Sequence, residues 1–485
     1  MLTFQRRRGL PFFVLISLPA TAMGFALSVQ ISVLSWMLST RYGLAIEEIG
    51  LVWAAGPLAG ILGQLLVGSL SDRTWFWGGR RRVFIIVGGA VAALSLLLLP
   101  QIGVISRAVG LPGVFGIAIT VALALDLAVN VGFSPTRALI ADLTGTGTER
   151  AAAYSIMQLV SGSFGVAAYA IGALLGNDVL IYVAVVLVLL FAIVPALLVT
   201  EPAALAADLP ADSGPPAGVP PVPPLPTQEN VWIASARSLS PLWAILIYDI
   251  YGLTVRMTGA NLAGGTAELL CTLATLWLVA HAFFGREDRH TGFRRMVGAS
   301  AFCWLGVQPI FVYMVSFLQG RMPGLDDAAL GQVTALAFLA MNGVAALAPL
   351  LLGRLARRAG ALQVHVAAVA VMAAGCLAIW LFVTAPWQLY ALMALCGIGW
   401  GSIVSLPFAI MSDRVAPTRM GLFMGLFNLS VVLPQLVTSL GIATLVAAAD
   451  DKGVVFGLSG LFLGLSALFW SLVSRNSLPL KGASQ

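Results

Sequence analysis

From Ile46 to Arg82 the chain reads IEEIGLVWAAGPLAGILGQLLVGSLSDRTWFWGGRRR. No residue between Ile49 and Leu70 is charged, and a helix needs about 20 apolar residues to cross a bilayer. The run ends at Asp72-Arg73 and, after Thr-Trp-Phe-Trp-Gly-Gly, at Arg80, Arg81 and Arg82, a basic cluster of the kind that collects at the cytoplasmic end of a span. A second apolar run follows over 83 to 105. Two spans joined by a short basic loop predict an all-α membrane protein, and the rest of the chain repeats the pattern.

The repetition is supported by composition. Of 485 residues 59% are hydrophobic and only 9% charged, where a soluble domain carries roughly 25% charged residues. Apolar runs lie at 12 to 38, 46 to 70, 83 to 105, 113 to 140, 150 to 176 and 179 to 200. Ala20-Thr21-Ala22 has the spacing of a signal-peptidase site, but its run continues well past the 7 to 15 residues of a signal core, so a first transmembrane helix is expected. From Glu201 to Arg237 prolines are too dense for helix, which predicts an extended cytoplasmic linker. Two runs at 240 to 258 and 264 to 285 carry Asp249, Arg256, Glu268 and His281, so they span as a hairpin or lie in the interface. Six more follow at 297 to 319, 328 to 352, 362 to 384, 387 to 412, 420 to 447 and 453 to 474. The expected organisation is a six-helix bundle over 1–200, a linker over 201–237, an inserted helix pair over 238–295 and a second six-helix bundle over 296–485.

With both termini in the cytoplasm, 20 of the 26 basic residues fall on the cytoplasmic side; Arg41, Arg107, Arg321 and Lys452 fall outside, and Arg137 and Arg256 lie within runs. The halves also echo each other. Gly353-Arg354-Leu-Ala-Arg357-Arg358-Ala-Gly360 answers the first basic loop, and Pro407-Phe-Ala-Ile-Met-Ser-Asp413-Arg414 answers Pro135-Thr-Arg137-Ala-Leu-Ile-Ala-Asp142. Duplicated six-helix units are the ground plan of secondary transporters, with the site between the halves near the midplane.

Other classes find little support. The four cysteines sit inside apolar runs without CxxC spacing, the three histidines form no HExxH, and no phosphate-binding GxxxxGK[ST] occurs, so no metal, cofactor or ATP chemistry is expected. The net charge of +6 is scattered over short loops, which argues against nucleic acid. An enzyme acting at a diphosphate or metal needs convergent acids, yet Asp326-Asp327 and Asp450-Asp451 fall in different external loops.

Asp126 is the sharpest candidate, since an acid within a span is by default functional. Burial disfavours a charged carboxylate and a nearby cation favours it, so a site alternately wet and closed can load and release a proton. Arg137 lies 11 residues on, three turns plus about 20°, on the same side but about 16 Å along the axis, so coupling to Asp126 would be indirect, helped by Pro135. Asn130 continues the polar stripe. Gln30, Trp36, Gln64, Gln158, Gln308, Tyr313, Asn428 and Gln435 are the other candidates for binding a neutral polyol, although each alone equally suits an interhelical hydrogen bond. Asp72, Arg73, Arg80, Asp142, Asp413 and Arg414 at cytoplasmic helix ends are expected to form a charge latch.

At Gly68 to Arg82 the chain resembles the major facilitator superfamily. Gly56-Pro57-Leu-Ala-Gly60 with Gln64, Leu125-Asp126 to Asn130, Pro135-Thr-Arg137, and Gly397-Ile-Gly399-Trp400 through Asp413 to Arg419-Met-Gly421 and Phe427-Asn428 are similar to plant sucrose transporters and their proton-coupled relatives, a group akin to the glycoside-pentoside-hexuronide transporters. The resemblance covers the six-plus-six core and leaves out 201 to about 295. It implies proton-coupled symport of a disaccharide such as sucrose or maltose by alternating access, with Asp126 binding the proton and Arg137 partnering it. The run at 297 to 319 has no acid where that family commonly carries one. An efflux antiporter of amphiphilic compounds, or a non-transporting sensor or assembly factor, remain the alternatives. The expected partners are a sugar, protons and the bilayer, with the chain a monomer; the Arg-rich, Lys-poor composition suggests a bacterial inner membrane.

Overall fold

The structure is a computed structural model and describes residues 9–61, 75, 76, 79, 81–110, 113–144, 148–201, 231–259, 265–287, 290–412 and 420–473. Fourteen long helical segments follow the apolar runs. In the first half they are α1 (Leu10–Arg41, π-wound over its last turn), α2 (Ile46–Trp53, continuing helically to 61), α3 (Arg82–Val109), α4 (Phe115–Leu143), α5 (Thr148–Leu175) and α6 (Asn177–Leu198). The inserted pair is α7 (Trp243–Thr258) and α8 (Thr266–Phe284). The second half comprises α9 (Thr291–Arg321), α10 (Asp327–Ala359), α11 (Ala361–Phe382), α12 (Pro386–Ser412), α13 (Met420–Val437, then a π-wound stretch Thr438–Ile442 and Ala443–Ala448) and α14 (Val454–Val473). Among the described residues, twelve of these are long and apolar enough to cross a membrane. The exceptions are α2, described only in part, and α7, whose 16 residues measure about 24 Å against a hydrocarbon core of about 30 Å.

Helix ends follow local chemistry more closely than apolarity does. α10 outlasts its apolar run and continues through Arg354, Arg357 and Arg358, whose charges suit a helix C-terminus, until Gly360 adopts a φ of +90° that ends it. At the other end of α10 the Asp326 carboxylate accepts from the Ala329 amide at 2.7 Å. Lys452 donates to the carbonyls of Val446, Ala447 and Ala449 at 2.7–3.0 Å, closing the last turn of α13. The proline-rich stretch expected to be extended is outside the described residues over 202–230; Val231–Ser238, which lacks proline, forms two turns of helix instead.

α1 and α9 are the central helices. α9 is buried along nearly its whole length, and α1 packs on α5, α6 and α4. α3, α6 and α8 lie at the periphery with apolar side chains outward, among them Leu94, Val186 and Trp277, as expected of surfaces meeting lipid acyl chains. Described contacts between the halves concentrate at the end carrying Tyr42, Gly176 and Met322, the Tyr42 end. There α10 packs on α5, α9 and α10 on α1, and α2 on the π-wound stretch of α13.

Candidate functional site

Asp126 lies midway along α4, only 4% exposed. Its Oδ2 accepts a 3.0 Å hydrogen bond from the Gln30 amide of α1, itself 2% exposed. Among the described residues Asp126 makes no ion pair. The third wall is α2, and it comes close because residue 56 is glycine: a Cβ there would stand 3.4 Å from both carboxylate oxygens. One turn further along, Asn130 donates to the Asp126 backbone carbonyl at 2.8 Å, with its amide oxygen toward Gly60. The three helices α1, α2 and α4 thus meet around one carboxyl group held by a neutral donor.

Arg137 does not join this group. α4 runs unbroken through Pro135, and the Arg137 guanidinium lies 5.3 Å from the centre of the Phe133 ring. The Tyr154 hydroxyl donates to the Arg137 backbone carbonyl at 2.8 Å.

In the second half Gln435 of α13 donates to Gln308 of α9 at 3.1 Å. Beside them the Trp400 indole donates to Asn342 at 3.1 Å and meets Trp304 and Phe311 edge to face at 6.0 and 5.2 Å, giving an aromatic wall with an amide at its rim. Trp304, Asn342 and Trp400 were not among the sequence candidates for binding; aromatic spacing alone did not separate them from lipid-facing tryptophans. Gln158 is exposed on α5 and Asn428 half-buried on α13, while Gln64 lies outside the described residues.

Trp36 and Tyr313 sit instead at the junction of the halves. The Trp36 indole donates to the Asp327 carbonyl of α10 at 2.6 Å. Ser35 donates to the Val312 carbonyl of α9 at 2.7 Å while accepting from the Trp53 indole of α2 at 2.8 Å. Ser39 and Gln319 bond reciprocally at 3.0 and 3.2 Å. Tyr313 donates to the Thr438 carbonyl at 2.9 Å, within the π-wound stretch of α13. Gly50 of α2 presses on that stretch so closely that a Cβ would stand 2.6 Å from the Ser439 carbonyl oxygen, 2.8 Å from the Tyr313 hydroxyl and 2.9 Å from Ala443 Cβ.

At the opposite end, Asp142 pairs with Arg81 at 3.2 Å. Glu201 accepts from the backbone amides of Arg81 and Arg82 at 2.9 and 2.8 Å, and the Arg82 guanidinium donates to the Val199 carbonyl at 2.6 Å. Of the expected latch only Asp142 is described; Asp72, Arg73, Arg80, Asp413 and Arg414 lie outside the described residues. Arg81 and Glu201 were not singled out from the sequence, because three successive arginines cannot be ranked by pattern and Glu201 reads as the first linker residue. A second buried acid, Asp249 of α7, meets no hydrogen-bond donor at either oxygen among the described residues.

Known proteins resemble the chain in part of its sequence or in its fold. A general alpha-glucoside permease of Schizosaccharomyces pombe is 33% identical over 144 residues, covering 26% of this chain and 26% of its own length. The sucrose transport protein SUC4 of Arabidopsis thaliana is 32% identical over 145 residues, 28% of each chain. The chain therefore matches about a quarter of the length of these relatives. Over the whole fold it superposes on the crystal structure of a D-xylose-proton symporter with a TM-score of 0.62 at 14% identity, covering 97% of this chain and 99% of that one. The sequence pattern of the Major Facilitator Superfamily matches residues 16–430, and with the paired six-helix halves this places the chain, an integral multi-pass membrane protein, in that superfamily.

Proposed function

We propose that the protein is a secondary transporter that carries a sugar or glycoside, of the size of sucrose or maltose, together with protons. The observation that carries this reading is Asp126: a carboxyl group buried at the meeting of three helices, facing an amide and, among the described residues, no cation. An ionised carboxylate left in such a place without a counter-charge is costly, so the group is suited to bind a proton and to give it up when water reaches it. Protonated, Asp126 offers an O–H donor; ionised, it only accepts, which changes how the site receives a hydroxyl-rich ligand. Gln30 serves both states, since its N–H donates to the carboxylate and its carbonyl can accept from the acid. Asn130, Gln308, Gln435, Asn342 and Trp400 supply neutral amides and an aromatic face, the chemistry that fits sugar hydroxyls and ring faces.

With both termini on the cytoplasmic side, the Tyr42 end is the outer one and the halves are joined there by Trp36, Ser35, Ser39 and Gly50. Transport proceeds as the halves rock apart at this end and together at the Arg81 end, where Asp142, Arg81 and Glu201 hold the base of the first half. Arg137, a full 16 Å or so along α4 from Asp126, acts at the water-facing end of the helix and reaches the acid only through the ligand or water. The relatives named as alpha-glucoside and sucrose carriers support the substrate class, and the xylose-proton symporter supports proton coupling within this fold. The protein works as a monomer in a bacterial inner membrane, without a cofactor.

The test is uptake of labelled sucrose and maltose into proteoliposomes under an inward proton gradient. Wild type accumulates one or both, Asp126→Asn equilibrates without accumulating, and Asp249→Asn accumulates like wild type because that acid lies outside the α1–α2–α4 site. Equal accumulation by Asp126→Asn removes the proton from this carboxyl group. Accumulation of neither sugar by correctly folded wild type removes the substrate class.

A further inference from the structure

The inserted pair is fastened to the second half. Arg295 of α9, 8% exposed, donates to the last carbonyls of α8, Ala282 at 3.2 Å and Phe283 at 2.9 Å, and pairs with Glu287 at 3.0 Å. Phe283 stacks on Phe469 of α14 at 4.8 Å. α7 then lies along α13 where the latter is π-wound: Gly252 packs against Leu440, a Cβ there standing 3.3 Å from its side chain, and the Tyr248 hydroxyl fills the space beside Gly441. Arg256 reaches within 3.5 Å of the Leu440 carbonyl.

The same face of α7 also borders an apolar cluster that the two halves share. Tyr248 and Leu253 join the apolar cluster in which Ala54 of α2 packs with Leu436 and Leu440 of α13, bordered by Leu51 and Leu58 of α2. That cluster exists only while α2 and α13 are together at the Tyr42 end. A body anchored on one half that buries apolar surface against a seam between the halves favours the state in which the seam is closed.

We propose that the inserted pair α7–α8 is a conformational clamp, with Leu253 and Tyr248 as its contact residues, that biases the halves toward closure at the Tyr42 end. The clamp rests on the alternating-access reading above and adds to it a determinant of the balance between states. It acts without touching substrate: its contacts lie on the side of α13 turned from the Gln308–Gln435 pair, and its energy is differential burial of a few apolar carbons.

The experiment is a spin-label distance measurement in proteoliposomes, with labels at Val109→Cys in the first half and Asp450→Cys in the second, both exposed at the Tyr42 end. Cys271→Ala removes the one native cysteine that is not buried. Without substrate, Leu253→Ala is expected to move the ratio of long to short distances about fivefold toward the open end, the effect of losing three half-buried carbons. Tyr248→Leu should shift it the same way. Leu276→Ala, the same truncation on the outward face of α8, should leave the ratio at the wild-type value. Melting temperatures close to wild type establish that each variant is folded. Two populations whose ratio ignores both Leu253 and Tyr248 overturn the clamp while leaving alternating access intact. A single unchanging distance in wild type across pH and added sugar overturns both.

Discussion

Gly50→Ala places a methyl group into a tight contact between the halves. The new Cβ would lie 2.6 Å from the Ser439 carbonyl oxygen, a backbone atom, and 2.9 Å from Ala443 Cβ. Ordinary carbon–oxygen contact is about 3.3 Å or more, so α2 and α13 must separate by several tenths of an ångström. The Tyr313 hydroxyl, 2.8 Å from the same point, is itself tied to the Thr438 carbonyl and cannot swing away without losing that bond. Overpacking of this kind costs about 1–3 kcal/mol. Almost all of that cost falls on the state closed at the Tyr42 end, since α2 faces no such wall once the halves part there. At about 1.4 kcal/mol per tenfold, the equilibrium shifts by roughly five- to 150-fold toward opening at that end. The assay is modification of Ser39→Cys, beside the seam on α1, by a membrane-impermeant maleimide. The labelling rate should rise by at least severalfold in Gly50→Ala, with the melting temperature in detergent lowered only slightly. A labelling rate equal to that of the parent would refute the reasoning, because the halves would then tolerate a side chain where the geometry leaves no room.

Other expectations follow from the same contacts. Ser35→Ala removes the hydroxyl that joins α1, α2 and α9 and strands the buried Trp53 N–H, a loss of about 1–3 kcal/mol to the closed state that should also raise labelling at this end. At the opposite end, a double-mutant cycle of Arg81→Gln with Asp142→Asn should give a coupling energy of about 1–2 kcal/mol in detergent unfolding; a coupling near zero removes that pair as a structural lock. Asp451, in the turn before α14, is raised by partial burial, but hydrogen bonds from the Gly453 amide and the Arg321 guanidinium outweigh this and hold its carboxyl below the usual range. Its contribution is therefore fully present above the ordinary aspartate value of about 3.9 and is lost as pH falls through the lower value of the folded state, so wild type and Asp451→Asn should differ slightly in melting temperature at pH 6 and converge only in more acidic solution, below that ordinary value.

The fold was readable in the sequence because a bilayer demands a length and a polarity that few other structures require. Among the described residues, every apolar run has its helix. What the runs hid were the ends: α10 extends through Arg354, Arg357 and Arg358 because Gly360, not the loss of apolarity, stops it. Asp126 stood out as an intramembrane acid, and Gln30 as an amide in the first run, but nothing in the chain says that positions 96 residues apart share a hydrogen bond. Pairing of that kind depends on how α1 and α4 cross. Trp36 and Tyr313 show the converse. Their residue type suits a sugar-binding wall, and the structure turns their polar atoms to the backbone carbonyls of Asp327 and Thr438, because direction around a helix uniformly apolar on all sides leaves no periodic trace. Glu201 was hidden by context, a helix-terminal acid at the start of a proline-rich stretch whose partners are the backbone amides of Arg81 and Arg82.

The central claim is that sugar and proton move together through Asp126. It is tested most directly by loading proteoliposomes with a pH-sensitive dye, imposing no gradient, and adding sucrose or maltose outside. Wild type should acidify the interior as sugar enters, and Asp126→Asn should admit sugar with no change in dye signal. Sugar entry in wild type without proton movement, or equal acidification in the variant, would contradict the account.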